Sequence, residues 1–214
     1  MGNTCTTAHT YTKLFEGNYG QIRDVVIVEA SWLGYHEPYT VKQVSSFIYE
    51  MMHITGQLSM AEEYGMLPFD VLVLEPRRTL CEKIMSLVRF SYTDDPMEDL
   101  KKKIRHTYDL HQLLQQNELS AFFDSSAFDE MLLTVAKDDV ISFKNNNDWL
   151  IYHPDKSVMF ADPVAVWSQL TLTYNGAFKN LVFGSFPHET EILATLVRIS
   201  ERLLSIDWTI NIEN

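Results

Sequence analysis

The apolar pattern of this chain changes period near Pro76. Before it, two short runs rich in β-branched residues, "RDVVIVEASW" (23–32) and "PFDVLVLEP" (68–76), read as strands, the second closed by Pro76. After it, apolar residues recur three and four apart, as on one face of a helix. Leu80, Ile84, Leu87 and Val88 form one such stripe; Leu100, Ile104, Tyr108 and His111 form another, with Leu110, Leu113 and Leu114 beside it. Strand-like runs followed by helix-like runs define an α+β chain, a small N-terminal sheet and then a helical half. The expected division is a sheet-containing part over 1–76 and a helical part over 77–214 of one continuous domain.

At finer grain, residues 1–34 read as strands, while "YTVKQVSSFIYEMM" (39–52) suits either a strand or a helix. Thr79 and Glu82 form a T-x-x-E box, which places a helix start at Thr79. "TDDP" (93–96) is a loop, and a second helix is expected from about Met97 to Gln116. "SAFFDSSAFDEMLLTVAKDDV" reads as one or two short helices. Residues 145–163 read as a long polar-aromatic loop with room for a short strand, and two closing helices follow, separated by Gly184 and Pro187.

A chain of 214 residues can bury a real core as one sizeable domain or two small ones. Its net charge of −12 argues against a general nucleic-acid binder, which needs clustered Lys and Arg, but leaves room for a local basic cleft. No apolar run is long enough to span a membrane, and the first residues do not resemble a signal peptide. Cys5 and Cys81 supply neither a disulfide framework nor a zinc site, and a reducing, cytoplasmic setting fits them best.

Both helices after Pro76 carry charge beside the faces they should bury. Lys83 lies one turn after Leu80 and one turn before Leu87. It can snorkel, or it can point its ammonium into a cleft. Glu82 is accounted for as the capping-box acid. Arg105 and Asp109 are an i,i+4 pair, of about half a kcal/mol as a surface ion pair. His106, three residues before Asp109, can be held by it. Two adjacent helices can thus each present one ionic group to a shared groove. A lysine and a carboxylate so placed can grip a phosphate and a metal, or an attacking hydroxyl. Glu29 shares a strand face with Ile27, and such a carboxylate serves as readily at an edge as on a metal. Phosphate-loop, nucleophile-elbow, zincin and EF-hand motifs are absent from the sequence.

The order strand, then Glu75-Pro76, Arg78-Thr79, Glu82-Lys83-Ile84, then Arg105, Tyr108-Asp109-Leu110, Leu113-Leu114 resembles the AbiEii/AbiGii family of nucleotidyltransferase-like toxins from abortive-infection and toxin–antitoxin systems. The tail "LTYNGAFKNLVFGSFPHETEILATLVRISERLLSID" is similar to the family's closing helices, and the resemblance runs over roughly residues 10–208. It implies a polymerase-β-like core and bacterial origin. The implied activity is transfer of a nucleotide from an NTP, with Mg²⁺, to an acceptor such as tRNA. A cognate antitoxin, or a separately encoded N-terminal half, is an implied partner; a membrane is not. By the same resemblance, Lys83 and Asp109 are the catalytic positions, Lys83, Arg78 and Arg105 bind the nucleotide, and Glu29 is the metal carboxylate. The family's first motif, Gly-Ser followed by a metal-holding Asp-x-Asp, is not found; Gly-Ser occurs only at Gly184–Ser185. The chain therefore resembles the family's second half, as a truncated, split or degenerate member expected to be inactive by itself. The alternative is a non-catalytic fragment that binds a nucleotide or a protein.

Overall fold

The computed structural model describes residues 4–12, 25–31, 38–142 and 148–210. It is mixed α+β, with short antiparallel strands first and mostly helices after them. The described strands do not form one sheet: they make two separate two-stranded ribbons. β1 (Thr4–Thr10) pairs antiparallel with β2 (Val25–Ser31), Thr6 opposite Glu29. Along β2 the pattern is half-buried Val25 and Ile27 against exposed Val26 and Val28, a two-residue period with one weakly covered face. The rest of residues 1–34 lies outside the described residues.

By contact, the chain divides into two compact units, Met1–Tyr35 with Pro76–Asn214, and His36–Glu75. The smaller unit pairs β3 (Tyr39–Val44) with β4 (Phe69–Leu74), and carries α1 (Phe47–Ile54) and α2 (Leu58–Glu63) between them. The ambiguous stretch 39–52 is thus a strand and then a helix. The switch comes at Ser46, an N-cap whose hydroxyl accepts from the Tyr49 N–H.

The core of the larger unit is helical. α3 (Pro76–Phe90) packs on α7 (Ser126–Ser142) and α5 (Ile104–Leu114), and α10 (Glu189–Leu203) packs on α5 and on α9 (Pro163–Thr173). The α3 stripe is fully buried at Leu80, Ile84, Leu87 and Val88. Each such side chain contributes about 2 kcal/mol of apolar burial, an upper figure because unfolded chains are partly compact.

Three expectations are corrected. α3 begins at Pro76, not Thr79. Proline suits the first helical position, since its fixed φ is already helical and its missing N–H leaves nothing unsatisfied there. Glu82 is then inside the helix and accepts from Arg78 instead of capping. The expected single helix over 97–116 is two: α4 (Pro96–Lys102), capped by the Asp95 carboxylate on the Glu98 N–H, and α5. They break at Lys103, whose ψ of 12° turns the chain out of the helix. Third, no strand occurs among the described residues of 145–163. Short 3₁₀ turns at Asp148–Ile151 and Pro154–Lys156 lead into the four-residue helix α8 (Val158–Ala161). Residues 117–142 form α6 (Asn117–Phe123) and α7.

Candidate functional site: a lysine–aspartate pair between two helices

Lys83 sits on α3 between Leu80 and Leu87, both buried, so its stem runs along the boundary where α3 meets α5. Its ammonium donates to Asp109 Oδ2 on α5 at 2.7 Å. The two side chains are 22% and 33% exposed, so the pair is neither in the core nor freely hydrated. Asp109 therefore answers to Lys83 across the helices. Its expected partner on its own helix, Arg105, is exposed, and no ion pair joins the two among the described residues.

His106 completes the cluster. Its Nδ1 lies 4.0 Å from the same Asp109 oxygen, beyond hydrogen-bond range, and this buried nitrogen has no partner among the described residues. Burial, then the nearby positive charges of Lys83, Lys103 and Arg105, push the His106 imidazole below its ordinary value against the pull of Asp109. For Asp109, burial pushes the carboxyl up, but the hydrogen-bonded Lys83 ammonium helps to outweigh it, and the group is held below the usual carboxylate range. The result is a half-buried cluster of a carboxylate, an ammonium and a neutral imidazole.

The other sequence candidates do not share the Lys83–Asp109 contact. Arg78 is buried, and its guanidinium is held by Glu82 at 2.8 Å and by Asp138 of α7 at 2.7 Å. Glu29 is exposed on the β1–β2 ribbon. Arg105 is exposed in the first turn of α5, after Lys103, whose ammonium lies 4.5 Å from the Phe90 ring centre. Sequence spacing does not point to Asp138 or its neighbour Asp139. They lie 48 and 49 residues beyond the end of α3, on a helix that also carries Asp129, Glu130 and Lys137, so no local pattern marks them.

A metal would need several hard donors converging. Among the described residues, no group of three or more His, Cys, Asp or Glu is placed to hold an ion. Glu29 stands exposed, and Asp109 is paired with the Lys83 ammonium. The described residues thus do not fit a metal centre.

Fold and ion pair together define an α+β protein whose helical body joins one lysine and one aspartate across the packed helices α3 and α5. Residues 6–184 match the family model described as Nucleotidyl transferase AbiEii toxin, Type IV TA system, and the chain belongs to that family. It is a nucleotidyltransferase-like toxin of a type IV toxin–antitoxin system, and the family implies NTP and metal use as a class, with an antitoxin as partner. No curated protein and no solved structure matches the chain. No described helix is long and apolar enough to cross a membrane.

Proposed function

We propose that the Lys83–Asp109 groove is the nucleotide site of this toxin, and that the activity it serves is transfer of a nucleotide from an NTP to an acceptor such as tRNA. The observation that carries this reading is the 2.7 Å contact between Lys83 and Asp109, half-buried between α3 and α5 in a body of net charge −12. A lysine held at a groove in so acidic a chain is a point charge that a phosphate can take over. Arg105, exposed one turn before Asp109, assists it. Arg78, bound to carboxylates on α3 and α7, fixes the register of α3 and so the position of Lys83. Asp109 holds the lysine ready and, once released, is the carboxylate nearest the bound phosphate.

The sequence has no Asp-x-Asp pair, so this chain by itself should bind nucleotide without transferring it. Binding through one main cation should be no tighter than about millimolar, about −4 kcal/mol. It should weaken as salt screens the contact. The test titrates ATP into wild type and Lys83→Ala while following amide shifts. Shifts in the α3–α5 groove of wild type, lost in the variant, are expected; equal shifts in both, or none in either, would overturn the site. In parallel, labelled NTP, Mg²⁺ and tRNA should give no incorporation above background. Lys83-dependent incorporation would show that the chain carries the whole chemistry.

A further inference from the structure

Two potential donors face a single oxygen in the groove. Lys83 Nζ holds Asp109 Oδ2 at 2.7 Å, while His106 Nδ1 waits 4.0 Å from it. Buried polar atoms almost always find a partner, so one left without any asks for an explanation. Here a potential partner, the Asp109 carboxylate, is close but out of hydrogen-bond range. We propose that His106 is a positioning residue that takes over the Asp109 carboxylate when Lys83 turns to a phosphate. The proposal rests on the reading of Lys83 as the phosphate contact.

The electrostatics favour such a hand-over. With Lys83 on Asp109, the imidazole feels the charge of three cations, Lys83 on α3 with Lys103 and Arg105 at the start of α5, and of one carboxylate, Asp109. When a phosphate draws Lys83 away and neutralises it, Asp109 is left half-buried without its cation, a costly state. His106 is then the nearest donor, and about an ångström of movement brings Nδ1 into hydrogen-bond range. It takes a proton from solvent, through a side chain still 12% exposed, and donates Nδ1–H to Asp109 Oδ2. Charge is restored in the groove, and phosphate binding becomes linked to proton uptake.

The experiment follows the His106 ring resonances of the full chain by NMR against pH, with and without inorganic triphosphate. Free wild type should titrate below 6.5, the ordinary value. Triphosphate should raise the His106 midpoint by about one unit, which by linkage tightens binding about tenfold as pH falls through the interval. The probe itself titrates near this range, so the comparison is with His106→Asn, which should keep Lys83-dependent binding and lose that extra tightening. Lys83→Met should raise the midpoint with no ligand at all, and serves if His106→Asn does not fold. If triphosphate binds and depends on Lys83 while the His106 midpoint stays put, the hand-over is overturned and the Lys83 reading stands. An unchanged midpoint in Lys83→Met overturns the hand-over as well. If wild type does not bind triphosphate, both readings fail.

Discussion

Replacing Asp139 with asparagine should stabilise the protein, and the gain should depend on pH in a defined direction. Asp139 lies on α7, beside the ion cluster that ties α7 to α3. There Arg78, buried on α3, is held by Glu82 and Asp138. Burial pushes the Asp139 carboxyl up; Arg89 and Arg78 pull it down, and Glu82 and Asp138 add to the rise, so it moves from 3.8 to about 6. Because the folded value is raised, the folded state holds the proton more firmly than the unfolded state. Stability therefore falls as pH rises from about 4 to about 6, and the whole penalty is present above that interval. A shift of this size corresponds to about 3 kcal/mol at most. Asn has nearly the same volume and no charge to desolvate, so Asp139→Asn should be more stable than wild type by about 1–3 kcal/mol at pH 7.5. The difference should shrink towards zero near pH 4. Urea unfolding followed by circular dichroism at several pH values measures it. A difference that does not change with pH, or no stabilisation at pH 7.5, would refute the account of Asp139 as a desolvated carboxyl.

Arg78→Met should destabilise by about 3 kcal/mol, because it leaves Asp138 and Glu82 without the cation buried between them; the urea midpoint at neutral pH reports it, and a loss below about 1 kcal/mol would show the cluster to be well hydrated. Ser91→Ala should cost about 1–2 kcal/mol, since the buried Ser91 hydroxyl donates to the Leu87 carbonyl and accepts from the Met159 N–H, which would be left without a partner. A thermal-melt series with Ser91→Thr as the hydroxyl-retaining control checks that.

Which parts of this molecule were legible in the sequence follows from how far apart the deciding residues lie. The α3 stripe reads correctly because Leu80, Ile84, Leu87 and Val88 are local to one helix and all buried. The start of α3 reads wrongly from the sequence because Thr79–Glu82 imitates a cap, while Pro76 is the better first residue and Arg78 claims Glu82. The break at Lys103 left no mark, because no glycine or proline stands there and the stripe continues across it. Distance in sequence hid the rest: nothing near Arg78 announces Asp138, sixty residues on, and nothing near Glu29 says whether carboxylates gather round it. The meeting of Lys83 with Asp109 was open to inference for the opposite reason. Each residue borders the apolar stripe of its own helix, the helices are neighbours in the chain, and two boundary charges of opposite sign on packed neighbours have few other places to go. What one dimension could not give was the order of preference among the donors. Arg105 is four residues from Asp109 and was the expected partner, yet Lys83 holds the carboxylate, 26 residues away. The α3–α5 contact lays the lysine stem along the seam, while Arg105 at the head of α5 is left exposed. An ammonium placed there by packing, opposite a carboxylate that a second residue waits to hold, can leave its partner with less loss than one whose departure would strand a buried charge.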